Sequence, residues 1–226
     1  MFTSTLLISQ NLEDNRPAAK MKRRSKVQKL ARAKCIINKV NSMKDPFEML
    51  EMYHTYVGKN EYIVNLNCVK AKEASSECRL WIFDIMERNM KNLYEQSSWG
   101  WDAIAKQKEL TESTAWYLIA SNNNKFIGFS HFRFDIDYKV EVLYCYELQL
   151  EESARGKGLG RFMMQALESM ASKYKMQKVV LTVLKNNLPA LQFFYTLGFK
   201  LDNTSPLESE KKDYIILSKQ VLIPVT

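Results

Sequence analysis

The segment with the clearest chemical potential is the glycine-rich run Arg155-Gly156-Lys157-Gly158-Leu159-Gly160. Glycine lets the backbone approach a ligand closely, and a helix beginning near Leu159 would offer unpaired N–H groups to an anion. The spacing is R-x-x-G-x-G, which matches neither a P-loop nor the G-x-G-x-x-G dinucleotide fingerprint. The run therefore predicts a phosphate-binding loop of another type, in which Arg155 pairs with a phosphate. The alternative is a tight strand-to-helix turn with an incidental basic rim.

Apolar patterns around this run predict the elements that position it. Three successive antiparallel strands are predicted before it, at Ala115 to Ala120, Phe126 to Phe134 and Val140 to Leu150. A helix is predicted after it, because apolar residues recur there at helical spacing: Phe162, Met163, Ala166, Leu167, Met170 and Ala171. Next comes a strand-like run from Val179 to Leu184, and then Asn187-x-x-Ala190-x-x-Phe193-Phe194, which begins another helix.

This succession of elements, ending in Leu197-Gly198-Phe199, resembles the GCN5-related N-acetyltransferases (GNAT). The resemblance implies an α/β (α+β) fold with a mixed, mostly antiparallel central sheet flanked by helices, and acetyl-CoA as co-substrate. It also implies that the loop amides bind the CoA pyrophosphate, that the preceding strand binds the pantetheine arm through its backbone, and that an asparagine contacts the cofactor. The cofactor-binding residues so implied are Leu148, Gln149, Leu150, Arg155, Gly156, Lys157, Gly158, Leu159, Gly160 and Asn187.

Length and composition agree with one catalytic domain. The 226 residues are 46% hydrophobic, enough to bury a single sizeable core. We predict a disordered tail at 1–19, a basic helical extension at 20–45 and the transferase domain at 46–226. Within that domain we expect a helix beginning in Pro46 to Tyr56, a strand at Tyr62 to Val69 and a long helix at Ser76 to Gln96.

Other features limit the location and the chemistry. The chain has no run of 18 apolar residues and no signal-peptide pattern at Met1 to Leu12, so we expect it inside the cell, with no membrane partner. The basic segment Lys20 to Lys39 adds the nucleus to the cytoplasm as its expected location. Its four cysteines form no C-x-x-C pair, and only His54 and His131 could join them. We therefore predict no metal site and no disulfide framework.

Positive charge is concentrated near the N-terminus. Residues Lys20 to Lys39 contain nine Lys or Arg and no acid, whereas the remainder of the chain is close to neutral despite a net charge of +8. This segment predicts contact with a nuclear-import receptor or with chromatin. The alternative is a solvated helix that only aids solubility.

The segments Leu93 to Trp101, Trp116 to Ala120, Ser130 to Asp135 and Val142 to Glu147 resemble one branch of the superfamily, the N-terminal acetyltransferase D group. That resemblance implies acetylation of the α-amine of histones of the H-four and H-two-A kinds, which begin Ser-Gly-Arg-Gly. From the length of the chain we expect that it works as a monomer. Asp135 and Asp137 would hold the amine end and the arginine. The substrate-binding residues so implied are Tyr94, Trp99, Asp135, Asp137, Tyr144, Tyr146, Thr182, Thr204 and Tyr214.

Amine acetylation needs a base, because an α-amine has an ordinary pKa of about 7.7 to 8.0 and is mostly protonated at neutral pH. We predict that Glu147 removes the proton, directly or through one water, with an outward-facing strand carboxylate as the alternative. Many GNAT enzymes carry tyrosine at the position of Phe194 to protonate the departing thiolate. Tyr195 points about 100° away along a helix, so the role is not transferred to it. The proton would come from Tyr146 or from water, or the thiolate would leave without a proton donor.

Three hypotheses stay open on the sequence alone. The first is direct transfer to histone α-amines in a ternary complex, in which Cys145 would be a packed residue and not an acyl carrier, since strand alternation turns it away from Tyr144 and Tyr146. The second is acetylation of lysine side chains or of a small amine. The third is a non-catalytic chromatin-binding module driven by Lys20 to Lys39.

Overall fold

The computed structural model describes residues 16–222, with five α-helices and eight strands within that range. The helices are α1 Arg16–Asn41, α2 Ser76–Glu95, α3 Ala103–Leu110, α4 Leu159–Lys173 and α5 Leu188–Thr196. The strands are β1 Thr55–Val57, β2 Ile63–Lys70, β3 Trp116–Asn122, β4 Lys125–Asp137, β5 Val140–Leu150, β6 Lys178–Leu184, β7 Lys200–Leu201 and β8 Tyr214–Gln220. No helix in this range has the length and apolar content needed to cross a bilayer.

The strands form one sheet in the order β1-β2-β3-β4-β5-β6-β8-β7. Every neighbouring pair is antiparallel except β5 and β6. One face of the sheet packs against α1 and α4, and the other face against α2 and α3. The prediction of a mixed, mostly antiparallel sheet flanked by helices is confirmed.

Two helix starts on the α2/α3 face follow from local side-chain caps. The Ser75 side chain accepts a hydrogen bond of 3.1 Å from the N–H of Cys78 and begins α2. The Asp102 side chain accepts one of 2.9 Å from the N–H of Ala105 and begins α3. The predicted long helix is confirmed as α2, whereas α3 was missed because its only two large apolar residues, Ile104 and Leu110, do not form an amphipathic pattern: Leu110 is buried but Ile104 is exposed.

The prediction of a helix beginning in Pro46 to Tyr56 is wrong. That segment forms a single 3₁₀ turn at Glu51–Tyr53 and then β1. Phe47 is buried, with its N–H bound to Asp45 Oδ1 at 2.7 Å and its carbonyl 3.2 Å from His54 Nε2. These turn contacts, together with pairing of β1 to β2, replace the backbone bonds that a helix would make.

The end of α1 belongs to the core of the domain. Ile37 and Val40 are buried, and Asn41 Nδ2 donates to the carbonyl of Phe134 at 3.2 Å. Asn41 Oδ1 also accepts from Trp116 Nε1 at 3.4 Å. The helix predicted at 20–45 is confirmed within residues 20–41, but it begins at Arg16, inside the predicted tail. Residues 1–15 of that tail lie outside the described residues, and the domain division stays a prediction.

Candidate active site

A cleft opens in the sheet where β5 and β6 separate. The two strands pair only from Val142 with Lys178 to Cys145 with Leu181, after which β6 continues on β8 alone. A β-bulge causes the separation on the β5 side: His131 faces Glu147, Phe132 faces Cys145, and Tyr146 is the extra residue. Bulges bend a strand and increase its twist, so β5 leaves β6 at this point.

The cleft has a volume of about 200 Å³ and contains most of the predicted catalytic and substrate residues. Its apolar wall includes Met90, Leu184, Ala190 and Phe194. The predicted site residues that line it are Tyr94, Trp99, Tyr144, Tyr146, Glu147, Leu148, Gln149, Thr182 and Asn187. Folding therefore brings together residues from α2, β5, β6 and the start of α5.

Glu147 is the buried carboxylate of this cleft, with only 6% of its surface exposed. Its Oε1 accepts a hydrogen bond from Lys106 Nζ at 3.2 Å, and its Oε2 accepts one from Gln149 Nε2 at 3.1 Å. Burial raises the pKa of Glu147 above its ordinary value, while the Lys106 ammonium opposes that rise. A carboxylate with a raised pKa is a better base than an exposed one.

Lys106 lines the cleft and was not predicted from the sequence. Its side chain comes from α3, is buried, and donates to Tyr94 Oη at 3.0 Å and to Glu109 Oε1 at 2.8 Å, as well as to Glu147. Burial lowers the pKa of Lys106, but the negative charges of Glu147 and Glu109 raise it above its ordinary value overall, so the amine stays protonated. A lysine in a short helix with little apolar pattern gave no signal of burial.

Aromatic rings form one wall at the mouth of the cleft. Trp99 stacks on Tyr94 at 5.9 Å between ring centroids and lies 4.9 Å from the ring of Tyr214. Asp213 Oδ2 accepts a hydrogen bond of 2.5 Å from the N–H of Ser98, which holds the 97–101 loop against the start of β8. Trp99 keeps 47% of its surface exposed and is available to a ligand.

Two tyrosines of β5 form the opposite wall. The hydroxyl of Tyr144 is 2.6 Å from Thr182 Oγ1, and its ring is 4.8 Å from that of Tyr146. The Tyr146 ring stacks on His131 at 5.0 Å and lies 4.3 Å below the Arg133 guanidinium. Burial raises the pKa of Tyr144 to about 12 and also raises the pKa of Tyr146, so both phenols are protonated at neutral pH.

The glycine-rich run forms the turn into α4. Gly156 and Gly158 have φ of +70° and +84°, values that glycine adopts without strain. No backbone carbonyl of the described residues accepts a hydrogen bond from the N–H groups of 156–161. Consecutive unpaired amides at a helix start fit a pyrophosphate, and the loop has the donors that the sequence predicts.

Arg155 is tied to the end of β5. Its Nε donates to the carbonyl of Leu150 at 3.1 Å, and its Nη2 donates to Asn89 Oδ1 at 2.8 Å. Asn89 also reaches Gln149 Oε1 at 3.1 Å. These bonds join the loop to the strand, so Arg155 holds the loop in place and keeps its other N–H donors for an anion.

Several predicted substrate residues lie outside the cleft lining. Asp135 is exposed near the end of β4, and Tyr214 stands beside Trp99 at the mouth. Asp137 and Thr204 line a second groove, next to the buried pair of Lys178 and Asp202. The structure therefore divides the predicted substrate residues between the cleft and the surface beyond it.

The helix predicted to begin at Asn187 is present as α5. The Asn187 side chain caps α5 by accepting from the N–H of Ala190 at 3.3 Å, and it also lines the cleft. Phe194 faces the cleft, whereas Tyr195 is 49% exposed, in agreement with their one-residue offset. The Cys145 side chain packs in the core with a pKa raised to about 12 by burial, so its thiol stays protonated, a poor state for an acyl carrier.

The splayed mixed sheet with an amide-lined loop at the start of α4 defines a class, the GNAT-type fold. The acetyltransferase (GNAT) family matches residues 80–199, more than half of the chain. The chain therefore belongs to the GNAT acetyltransferase family.

The individual proteins that the chain resembles share less than 30% of its sequence. The spermine/spermidine N(1)-acetyltransferase of Bacillus subtilis (strain 168) is 28% identical over 90 residues, which cover 38% of this chain and 59% of that protein. The match thus spans less than two thirds of that curated relative. Two solved structures share the fold at a TM-score of 0.51: the PaiA N-acetyltransferase of Thermoplasma acidophilum in complex with coenzyme A (16% identity, 69% of this chain, 99% of that one) and the ribosomal-protein-S18-alanine N-acetyltransferase of Escherichia coli (15% identity, 71% and 96%).

Acetyl transfer is the chemistry of this family, and the prediction of acetyl-CoA as co-substrate is confirmed at that level. Within residues 16–222, no three His, Cys, Asp or Glu side chains gather where they could hold a metal ion.

Proposed function

We propose that the protein transfers the acetyl group of acetyl-CoA to the N-terminal α-amine of histones that begin Ser-Gly-Arg-Gly. The observation that carries this proposal is the position of Glu147: a buried carboxylate with a raised pKa, in a cleft walled by Tyr144 and Tyr146. The segments around this cleft are those that resemble the histone-specific branch of the family.

The chain's own residues suggest how the co-substrate would be held. The unpaired amides of 156–161 would bind the pyrophosphate, and the edge of β5 left by β6 would bind the pantetheine arm. When bound, acetyl-CoA supplies an activated acetyl thioester. Asn187 lines the cleft and would contact the cofactor there.

Proton movements follow from the ionisation states in the cleft. Glu147 takes a proton from the substrate ammonium, directly or through one water, so that the amine nitrogen can form the new amide bond as the thioester C–S bond breaks. Tyr146 is protonated at neutral pH and is the candidate donor to the departing thiolate. Both residues belong to β5, next to the bulge that separates it from β6.

The substrate residues that follow the acetylated N-terminus would bind at the mouth of the cleft. A chain beginning Ser-Gly-Arg carries an ammonium and a guanidinium, which favour carboxylates and aromatic faces. The exposed carboxylate of Asp135 and the exposed ring of Trp99 offer these contacts. We propose that Asp137, Thr204 and Tyr214 contact later residues of the histone tail.

The test is a direct comparison of acceptors with radiolabelled acetyl-CoA. A peptide that begins Ser-Gly-Arg-Gly and also contains a lysine should be acetylated when its α-amine is free and should not be acetylated when that amine is blocked. Equal labelling of the two peptides would show lysine or another amine as the acceptor and would overturn the α-amine proposal.

A second candidate is acetylation of a polyamine, which the similarity to the Bacillus subtilis spermine/spermidine enzyme favours. Polyamines are flexible cations that the same carboxylates could attract. Spermidine should be added to the peptide assay as an alternative acceptor. A higher kcat/KM for spermidine than for the free-amine peptide would select this second function.

We also propose that Lys20 to Lys39 directs the protein to the nucleus through an import receptor, so that it acts in both nucleus and cytoplasm. In the described part of this segment, Lys29, Arg32, Lys34 and Lys39 are exposed, whereas Ala33 is buried. Replacement of Lys22, Arg23 and Arg24 by Ala should reduce nuclear accumulation of the full chain. Unchanged accumulation would refute the import role.

A further inference from the structure

Lys106 and Glu147 form an ion pair that is shielded from water on both sides. Their side chains are 10% and 6% exposed, and Nζ lies 3.2 Å from Oε1. The pair joins α3 to β5 in the lining of the cleft, where the proposed proton transfer takes place. An isolated carboxylate buried this deeply would take up a proton at neutral pH.

Each element packed around Glu147 contributes to its charge environment. From α3 come the Lys106 ammonium and the Glu109 carboxylate, and from α2 the neutral hydroxyl of Tyr94. From β4 come the Arg133 guanidinium and the ring of His131, whose pKa is lowered to about 3 by burial, so that the imidazole is neutral. Tyr146 and Gln149 of β5 are uncharged at neutral pH.

Lys106 differs from Arg133 in what its charge contacts. Arg133 is held by Glu112 at 2.5 Å and by the carbonyl of Glu109 at 2.8 Å, and its guanidinium covers the Tyr146 ring. Lys106 is the ammonium that touches the Glu147 carboxylate itself. Its charge makes the largest contribution that lowers the pKa of that carboxylate, and the charge of Glu109 opposes it.

We propose that Lys106 is a positioning residue that keeps Glu147 ionised and oriented for proton abstraction, and thereby sets the lower pH limit of the enzyme. The ammonium fixes Oε1 while Gln149 fixes Oε2, so the carboxylate has one defined orientation toward the cleft. This role rests on the proposed function of Glu147 as the base.

The main variant is Lys106→Met, which removes the charge and keeps the aliphatic stem. The acid limb of kcat/KM against pH, measured with the free-amine peptide, should move up by about one to three pH units. At pH values below the limb, activity should fall about tenfold for each pH unit that the limb moves, because one pH unit there corresponds to a tenfold change in the ionised fraction, and it should recover as the pH rises. Lys106→Gln serves as a second neutral variant in case the methionine variant does not fold.

Two matched variants test whether the acid limb moves with the charge near Glu147. Lys106→Arg keeps the positive charge and should keep the acid limb within about half a pH unit of the wild type. Glu109→Gln removes the opposing negative charge and should move the limb downward. An acid limb that stays in place in both Lys106→Met and Lys106→Gln would overturn the proposal.

A ¹³C-NMR titration of the glutamate carboxyl groups separates this inference from the proposed function. The resonance missing in Glu147→Gln identifies Glu147, and its midpoint should rise in Lys106→Met whether or not the peptide is a substrate. If the midpoint rises while Glu147→Gln keeps full activity, the base assignment fails and the ion-pair role stands. An unchanged midpoint refutes the role of Lys106 even if the peptide is acetylated.

Discussion

The hydroxyl of Tyr56 donates a hydrogen bond to the backbone carbonyl of Lys157 and so connects β1 to the middle of the glycine-rich loop. The Tyr56 ring packs on Phe162 at 5.0 Å, and the Lys157 ammonium lies 4.5 Å from the ring of Tyr62. Tyr56 and Tyr62 precede the family's matched region, which begins at residue 80. A hairpin outside that region therefore helps to hold the loop whose amides would bind the pyrophosphate.

Tyr56→Phe should weaken acetyl-CoA binding without changing the chemical step. Loss of one hydrogen bond costs about 0.5 to 1.5 kcal/mol, so the KM for acetyl-CoA should rise about two- to tenfold while kcat is kept. Steady-state kinetics at saturating peptide measure both. The matched control is Tyr53→Phe. The hydroxyl of Tyr53 accepts a hydrogen bond of 2.9 Å from Ser169 Oγ, which is not part of the loop. The same rise in the control would argue against a specific role of Tyr56.

Two glycines of the loop should respond differently to alanine. Both have positive φ, so each substitution strains the backbone by about 1 kcal/mol. A Cβ on Gly156 would meet nothing within 4 Å, whereas a Cβ on Gly158 would lie 2.6 Å from the Tyr56 hydroxyl. Coenzyme A affinity, measured by calorimetry, should therefore fall further in Gly158→Ala than in Gly156→Ala.

The contact between the Tyr56 hydroxyl and a Cβ at position 158 also provides the control for this comparison. In a Tyr56→Phe background the clashing oxygen is absent, so the additional loss caused by Gly158→Ala should become smaller than in the wild-type background. Strictly additive losses in the double variant would mean that the hydroxyl does not limit the space at Gly158.

The features predicted well from sequence are those with a local signature. The turn at Gly156 to Gly160 and the cap at Asn187 depend on residues close in the chain, so their types and spacing reveal them. The contacts of Lys106 with Glu147 and of Tyr56 with Lys157 join residues 41 and 101 positions apart, and nothing near either residue indicates its partner. The long-range half of the site thus required the folded chain.

Glu147→Gln should reduce turnover about 100-fold or more if Glu147 is the base, because an amide cannot accept the proton. Peptide affinity should stay close to that of the wild type. The control is Glu141→Gln, a carboxylate of the same strand that borders the second groove and not the cleft. Turnover of Glu147→Gln within about threefold of the wild type would remove Glu147 from the mechanism.

Asp135→Ala tests recognition of the histone arginine. Its exposed carboxylate would pair with the guanidinium of Ser-Gly-Arg-Gly, so the substitution should weaken binding of that peptide more than binding of a peptide with citrulline in place of arginine. Fluorescence anisotropy of the two peptides on wild type and variant gives the four affinities. Equal losses for both peptides would count against a direct contact with the arginine.

The buried pair of Lys178 and Asp202 should dominate the acid sensitivity of the β6–β8 region. Burial alone would raise the pKa of Asp202. Hydrogen bonds from the Lys178 ammonium at 2.5 Å and from the Thr204 hydroxyl at 2.7 Å outweigh this effect, so that the folded-state pKa lies below the ordinary value. The stabilisation is therefore fully present above the unfolded-state pKa of about 3.9 and is lost as the pH falls toward the folded-state pKa.

Asp202→Asn should lower the free energy of unfolding at pH 7 by about 3 to 5 kcal/mol, because Lys178 is left as an unpaired buried charge. Urea unfolding at pH 7 and at successively lower pH measures this difference, which should shrink below about pH 4 because Asp202 of the unfolded chain binds a proton there before Asp202 of the folded chain does. The control is Glu168→Gln, which breaks the half-exposed pair with Lys219 and should cost less than about 1 kcal/mol. A deficit in Asp202→Asn that is constant with pH would place its cause in packing and not in the charge of Asp202.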